Sequence, residues 1–553
     1  MSTMPRWLTA CTLVLAMASP AWAAVDVMRG NYQLDMQDIR VWRPGLLDFT
    51  VVRSYSSVRE SSGLFGAGWC SSLETRVRTT VDGNLLLVHC GSGREELFAP
   101  KGYGARAIAR FVDRIMAAVR AEGHAPSRRL VAFRKALLAD DELREMFARA
   151  YGIMDSVKPG KRLLRDGRGL SYAVLEGERY RIRMTDGKEW LFALDGRLLE
   201  VRSSVGARQI YTYDGDRLTS VGDVQGAVLH VEYDAAGRVT QVRGVNGRQA
   251  MYHYDGEGRL TKHVDHDGKQ EVYRYDRRGL MTEYMSADGH AESIAYDATS
   301  QRVVAHTAGK CVQLFQYLFD RGHQLVDAMF HCAEGESPPE HARYELTYGG
   351  QFDGRQDVVS IRKTQWNRTT RSARYDLYGF AIHTYSDGVD SRAQWDQKGR
   401  LVRLDQDGFQ VYRFHYLPGQ AQPIRIDRTD SIGTSRSLTA FRYRHDQYGR
   451  LIHASKSGEG YKQQLAVGYD ADGNIAELRE GIGRTVNLVY DPQIAKASVI
   501  TLEGVGQIRM TYKPDGTVKE ADTSGNPEVA VAVSSMFNKL LELVDLSELA
   551  DGY

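Results

Sequence analysis

The sequence predicts a mainly β fold: an antiparallel β-ribbon or spiral built from a short repeat, with a helical insertion and a C-terminal helix. Three observations predict it. Tyr-Asp pairs recur at 20- and 21-residue spacing, 54 Gly and 30 Tyr stand against only 13 Pro, and two stretches depart from strand periodicity into helical periodicity. Abundant Gly with little Pro means many tight turns, and Tyr favours strands. The full chain of 553 residues is too long for one ordinary core, as an elongated array would be.

The first element is a processing signal. Arg6 is the positive end, Trp7 to Ala18 the apolar run, and Ala21-Trp22-Ala23 a small-residue cleavage site, so a Sec-type signal peptide over 1–23 is expected. Leu8-Thr9-Ala10-Cys11 resembles a lipidation box, but the apolar stretch follows Cys11 instead of preceding it. The run falls short of the ~20 residues that a spanning helix needs, so no transmembrane anchor is expected. The mature chain is expected in the periplasm, at the cell surface or secreted. Its net charge of +2, with bases and acids nearly balanced along the chain, gives no argument for nucleic acid or for an anionic membrane.

Cleavage leaves Cys70, Cys90, Cys311 and Cys332, an even set for an oxidising compartment. The turn Asp320-Arg321-Gly322-His323 lies midway between Cys311 and Cys332, which places them opposite each other on adjacent strands, near bridging distance. Cys70 and Cys90 flank Asp82-Gly83 less symmetrically, and that spacing leaves their bridge open. No C-x-x-C occurs to favour metal binding by these four.

Residues 104–151 carry the helical insertion. Ile108, Phe111, Val112, Ile115, Met116 and Val119, then Leu130, Phe133, Leu137, Leu143, Met146 and Phe147, follow a helical period interrupted at Gly123 to Ser127. A helical hairpin or a three-helix unit packed on the sheet is expected.

The array occupies 152–520. Tyr213-Asp214, Tyr233-Asp234, Tyr254-Asp255, Tyr275-Asp276 and Tyr296-Asp297 mark one register, and Gly226, Gly247, Gly268 and Gly289 a second. In the first, Asp caps its own turn while Gly237 or Gly258 takes a positive φ, followed by Arg238 or Arg259. In the second, Asn246-Gly247 and Asp267-Gly268 are short hairpin signals. Each unit is read as two strands of roughly eight residues. Copies return at Tyr375-Asp376, Trp395-Asp396, His445-Asp446, Tyr469-Asp470 and Tyr490-Asp491. In 521–553, Met536, Leu540, Leu541, Leu543, Val544, Leu546 and Leu549 predict an amphipathic helix, a plug or docking helix rather than a membrane binder, since few basic residues accompany it.

The element Tyr-Asp-x-x-Gly-Arg-Leu, as at Tyr254 to Leu260, resembles the YD repeat of Rhs proteins, of the C components of insecticidal toxin complexes and of teneurins. Asp38-Ile39-Arg40-Val41, Arg53-Ser54-Tyr55-Ser56-Ser57 and Gly63 to Trp69 resemble the module that opens Rhs proteins, which implies an N-terminal β module over 24–103. The resemblance implies a spiralling ribbon that large members close into a shell around a toxin, released by self-cutting at an Asp/Pro segment. Here Asp491-Pro492 is the sole Asp-Pro pair and sits inside a repeat, so a partial or small shell without cargo is expected.

Chemistry is thinly represented. No nucleophile elbow, H-E-x-x-H or phosphate loop occurs, so no catalytic, cofactor or metal residues are assigned. His263-Val264-Asp265-His266-Asp267 falls on a recurring turn, as do Asp405-Gln406-Asp407-Gly408 and Asp470-Ala471-Asp472-Gly473, and neither of the last two reaches the Glu at position 12 of an EF-hand. The repeated tyrosines read first as packing between repeats and second as a sugar-stacking ladder. The expected function is a non-enzymatic exported scaffold binding a protein or a cell-surface glycan. Its rivals are a delivery component for a separately encoded toxin and, last, an enzyme in the insertion, where Asp140, Asp141 and Glu142 look like ordinary helix-surface charges.

Overall fold

Each repeat places its tyrosine at a fault in the ladder. The register slips between Thr212 and Tyr213, Glu232 and Tyr233, His253 and Tyr254, Arg274 and Tyr275, and Ala295 and Tyr296. The later copies slip in the same place, at Gln394/Trp395, Arg444/His445 and Val489/Tyr490. A bulge bends its strand and increases the twist, so one bulge per unit curls the ribbon steadily instead of leaving it flat. These features are seen in a computed structural model. It describes residues 24–41, 49–59, 61–90, 95–122, 127–224, 226–245, 247–320, 322–332, 340–365, 368–386, 388–471, 473–491, 496–512, 518–522, 530–536, 538, 539 and 543. The signal segment 1–23, the insertion break at 123–126, Asn246, Arg321, Asp472, Pro492 and the C-terminal residues Leu540, Leu541, Val544, Leu546 and Leu549 lie outside the described residues.

Strands follow one another in sequence and pair antiparallel with their neighbours, forming one long sheet of 36 strands from Arg76–Thr79 to Val518–Asp522. Among the described residues no register joins the last strand to the first, so the long sheet does not close on itself. Its beginning does curl back locally. Val77 N donates to Gly196 O at 3.0 Å and Arg76 bridges Arg197, which wraps the first eight strands around Leu85, Phe98, Leu163, Ile182, Phe192 and Leu198.

The two turns of a unit share one geometry. Asp255 N donates to Arg259 O and Gly258 N to Asp255 O, and at the other end Asp265 N donates to Lys269 O and Gly268 N to Asp265 O. Gly258 (φ +82°) and Gly268 (φ +78°) occupy the left-handed position that ends both turns. The Asp267-Gly268 pair is therefore the second half of an Asp-x-x-Gly turn and not a two-residue hairpin. This also shortens the strands below the expected length: Gln249–Tyr254 and Leu260–Val264 have six and five residues.

Period-2 alternation separates the faces. Val231, Tyr252, Tyr273, Ile294, Phe414, Tyr443 and Leu488, each two residues before a turn aromatic or its equivalent, are buried, while His253, Arg274 and Arg444 between them are exposed. Segments of the same chain cover the buried face. A separate four-stranded sheet, formed by Ala24–Asp26, Asn31–Val41, Phe49–Ser56 and Trp69–Ser71, packs Leu34, Ile39, Val51, Tyr55 and Trp69 on the array between Leu218 and Leu346. Ser62–Gly63 and Gly66–Ala67 form a two-stranded sheet of their own, and the later strands Arg76–Thr79, Leu85–Val88 and Glu95–Ala99 belong to the long sheet, so the region expected as one β module is shared among three sheets. At the far end, helical residues 530–536 and Leu543 put Val533, Met536 and Leu543 against Phe441, Leu465 and Val486.

The insertion comprises three helices, α1 (Ala105–Ala121), α2 (Ser127–Ala139) and α3 (Asp141–Ala150). It is looped out between Glu95–Ala99 and Leu163–Arg165, which pair directly through Leu164 and Ala99. Ile108, Phe111, Val112, Ile115, Leu137 and Ala148 form its core, with Val81 of the sheet region beneath. Arg144 fixes it further along the ribbon: Nη1 donates to Leu137 O at 2.9 Å and Nη2 to Asp353 O at 3.5 Å. A cavity of about 50 Å³ remains between Asp82, Tyr103, Arg144 and Asp353.

Candidate functional site

The recurring motif residues make one structural device. Their hydroxyls donate fifteen residues back, from Tyr213 to Leu198 O (2.9 Å), Tyr233 to Leu218 O (2.8 Å), Tyr254 to Val239 O (2.6 Å) and Tyr296 to Met281 O (2.8 Å). Asp234 and Asp255 each accept from the backbone N–H and from Nε of the arginine four residues on, Arg238 or Arg259. Those arginines then lie over the next unit's ring, Arg238 over Tyr254 at 4.8 Å and Arg259 over Tyr275 at 5.6 Å. Asp276 accepts instead from Arg278, and Asp297 from Thr299 and Ser300. Asp214 pairs through the backbone with Arg217. Tyr213, Tyr233, Tyr254, Tyr275 and Tyr296 are partly buried and packed against the core.

Tyr275 breaks the pattern, and the break locates the site. Its hydroxyl accepts from Trp69 Nε1 at 2.9 Å, a contact to the N-terminal sheet. The N-terminal segment takes up array N–H groups just after the bulged turns: Val239 N donates to Leu64 O (2.9 Å), Met281 N to the Tyr55 hydroxyl (2.8 Å) and Val303 N to Gly30 O (2.8 Å). Gly66 lies against Gly258, where a Cβ would come within 2.5 Å of Gly258 O. The N-terminal segment thus meets four successive units of the array, those of Tyr233, Tyr254, Tyr275 and Tyr296, once each.

At the centre of this contact is a buried polar cluster. Arg53 and Asp38 form a bidentate pair, Nε to Oδ2 at 2.5 Å and Nη2 to Oδ1 at 2.7 Å. Arg53 also reaches Glu271 Oε2 at 3.3 Å and the Tyr273 hydroxyl at 3.4 Å, with its guanidinium 4.9 Å from the Trp69 ring centre. Tyr252 donates to Asp38 at 2.7 Å, Tyr273 to Glu271 at 2.6 Å, and His263 Nδ1 lies 3.0 Å from Glu271. Burial works against the charge of Arg53, but Asp38, Tyr273 and Tyr252 around it together outweigh that and hold the guanidinium pKa well above its usual value. Burial likewise opposes the Glu271 carboxylate, and His263 and Arg53 reverse the balance and lower its pKa. For Tyr252 and Tyr273, burial raises the phenol pKa well above its usual value.

Asp38, His263 and Glu271 bring ligand-type atoms within 4.8 Å of one another. Arg53 donates to both carboxylates, so its guanidinium supplies the positive charge a metal would bring. His263 therefore belongs to this centre and not to the turn. Asp265, His266 and Asp267 stay on the turn, where Asp265 Oδ1 accepts from Asp267 N and Lys269 N, both at 2.9 Å. Asp405 accepts from Gly408 N at 3.2 Å in the same way.

Both cysteine pairs are bridged. Cys311 and Cys332 are register partners on one hairpin, with Cα atoms 4.0 Å apart. Cys70 lies in the four-stranded sheet and Cys90 just after Leu85–Val88 of the long one, so the bridge the spacing left open ties the two sheets together (Cα atoms 5.6 Å apart). Glu74 completes that junction, its carboxylate accepting from Leu64 N (2.9 Å) and Ser71 N (2.6 Å), and burial pushes its pKa up to about 7.

Residues 176–328 match the family described as Teneurin YD-shell, over the stretch in which these contacts repeat most regularly. Over that stretch the chain carries the YD-shell repeat. Residues 23–98 also match a family described as a domain of unknown function, DUF6531. No curated protein matches the chain. Among solved structures it is similar to a chain of the Photorhabdus luminescens Tc holotoxin pore, at 9% identity and a TM-score of 0.41, over 89% of this chain and 29% of that one. It is also similar to a chain of the TcdB2-TccC3-Cdc42 complex, at 11% identity and a TM-score of 0.40, over 90% of this chain and 30% of that one. The chain thus spans less than a third of those chains' length. Among the described residues no helix is long and apolar enough to cross a membrane.

Proposed function

We propose that this chain is a non-enzymatic exported scaffold that presents the outer face of its ribbon to a protein or glycan partner at the cell envelope. The observation that carries the reading is the occupation of the inner face by the chain's own N-terminal sheet and C-terminal helical residues. A face packed in this way supports a scaffold over a container. The polar outer face and the turn edges are left for recognition, and two disulfides fit an oxidising compartment. The polar centre around Arg53 reads as the key that seats the N-terminal sheet in one register, since Asp38 and Arg53 of that sheet bond to Tyr252, Glu271 and Tyr273 of the array.

Cross-linking of the purified protein to envelope extract, with the linked residues mapped, tests this. Links on the outer face, at positions such as Lys262 and Lys269, are expected. A passenger polypeptide that co-purifies and is released only on unfolding would replace the scaffold with a toxin-delivery shell.

A further inference from the structure

The near-neutral charge of the whole chain conceals a strongly basic surface on the insertion. Helices α1 and α2 carry seven arginines and one lysine against one acidic residue, Asp113, in a chain whose net charge is +2. Their apolar sides are buried, so the charges are sorted onto the outside: Arg106, Arg110, Arg114 and Arg120 of α1 and Arg128, Arg129 and Lys135 of α2 are exposed. Ion pairs hold two of the eight, Arg114 with Asp155 (2.7 Å) and Arg134 with Asp113 (2.9 Å). No ion pair among the described residues holds Arg106, Arg110, Arg120, Arg128, Arg129 or Lys135. The Arg134–Asp113 pair crosses between the helices and joins their basic faces into one surface.

We propose that this face docks the protein on an anionic phospholipid membrane surface. The choice among anionic partners follows from what lies between the charges. On α1 the exposed positions among the arginines are filled by Ala105, Ala117, Ala121 and Asp113, the last paired with Arg134, and on α2 by Ala132, Ala139 and one large apolar residue, Val131, which is 72% exposed. A protein interface is anchored by several clustered aromatic or large aliphatic side chains, and here Val131 stands alone among the charges. A lipid headgroup layer needs only dispersed cations that attract phosphate, with arginine offering the paired donors that phosphate accepts. One exposed valine amid the charges suits shallow contact with the headgroup region. The disulfides place folding in an oxidising compartment, which leaves nucleic acid a poor match for the same cations. This inference does not depend on the identity of the scaffold's partner.

Co-sedimentation of the whole mature protein with vesicles of phosphatidylcholine alone, or of phosphatidylcholine with phosphatidylglycerol, tests the proposal. Binding to the anionic vesicles alone is expected, and it should weaken as salt is added. The triple variant Arg106→Gln, Arg110→Gln and Arg120→Gln should weaken it on the order of tenfold or more, from the attraction each basic side chain contributes near such a surface. An equal charge loss on the array, Arg243→Gln, Arg274→Gln and Arg413→Gln, should leave binding within about twofold. Equal binding to both vesicle types, equal weakening by both triple variants, or capture by an acidic polypeptide without vesicle binding would overturn it. Should the α1 triple variant fail to fold, the salt dependence and vesicle selectivity of the native protein decide the matter.

Discussion

The guanidinium of Arg168 sits 3.4 Å from the ring centre of Tyr378, with its Nη2 3.8 Å from Asp376. The position is informative because Asp376 begins a repeat turn whose fourth following residue is Phe380, not the arginine found after Asp234 or Asp255. An arginine from the start of the ribbon supplies the missing cation more than two hundred residues away. With Arg144 on Asp353 O and Phe352 stacked on Tyr378 at 4.8 Å, it binds one stretch of the spiral to another.

Replacing Arg168 by Ala should therefore loosen that lateral contact without unfolding the array. A loss of about 1 kcal/mol is expected from the cation–π and ion-pair contacts. Hydrogen exchange should quicken at residues 376–380 and stay unchanged near Tyr254. Arg168→Lys should not restore protection, since an ammonium lacks the flat stacking surface.

Arg53→Met leaves Asp38 buried and without its cation, and a destabilisation of about 3–5 kcal/mol is expected in denaturant unfolding. Adding Asp38→Asn should recover part of it. If the double variant were no more stable than the single one, the ion pair would not be what seats the N-terminal sheet.

Tyr254→Phe removes one hydroxyl and leaves Val239 O short of a partner, which should lower stability by about 1 kcal/mol. Tyr275→Phe removes the acceptor for Trp69 Nε1 instead. Its effect should appear as altered Trp69 fluorescence and faster exchange in the strand Trp69–Ser71, a readout Tyr254→Phe leaves still.

Glu74 gives the fold a pH dependence of definite sign. Its pKa rises from 4.5 to about 7 on burial, so between those values the native state binds more proton than the unfolded chain. Its contribution is complete below about pH 4.5 and fades as pH climbs through 7. Unfolding midpoints of the native protein and of Glu74→Gln should converge toward acid pH and part toward neutral pH, with the variant the less pH-sensitive. Parallel profiles would remove Glu74 as the cause.

The repeat was legible because its signals are local: Tyr254-Asp255 and Gly258 fix a turn within a few residues. The second turn was half legible. Asp267-Gly268 announced a hairpin, while Asp265, three residues before Gly268, already carried the same Asp-x-x-Gly spacing that sets the geometry. The Cys311–Cys332 bridge followed from hairpin symmetry, whereas Cys70 and Cys90 sit in different sheets, so no single hairpin could have decided them. The polar centre lay beyond reach because Asp38 and Arg53 meet His263 and Glu271 only once the N-terminal sheet is laid on the array. The basic face of α1 and α2 was lost by averaging: a count taken over each helix, rather than over the chain, separates Arg106, Arg110 and Arg120 from their surroundings.

At Tyr213, Tyr233, Tyr254 and Tyr296 the hydroxyl that reaches fifteen residues back makes a unit the guest of the one before it. Interactions of this kind run between neighbours and have no preferred length, so whole units outside the stretch covered by the N-terminal segment can be added or removed while the remaining tyrosine bonds keep their partners. A one-residue change within a strand has no such freedom, because it turns the packed face toward water, whereas the reach of the hydroxyl itself varies, fourteen residues at Tyr317 and eighteen at Tyr469. The ribbon is in this sense counted in units of about twenty-one residues, and its length can drift between relatives in steps of that size.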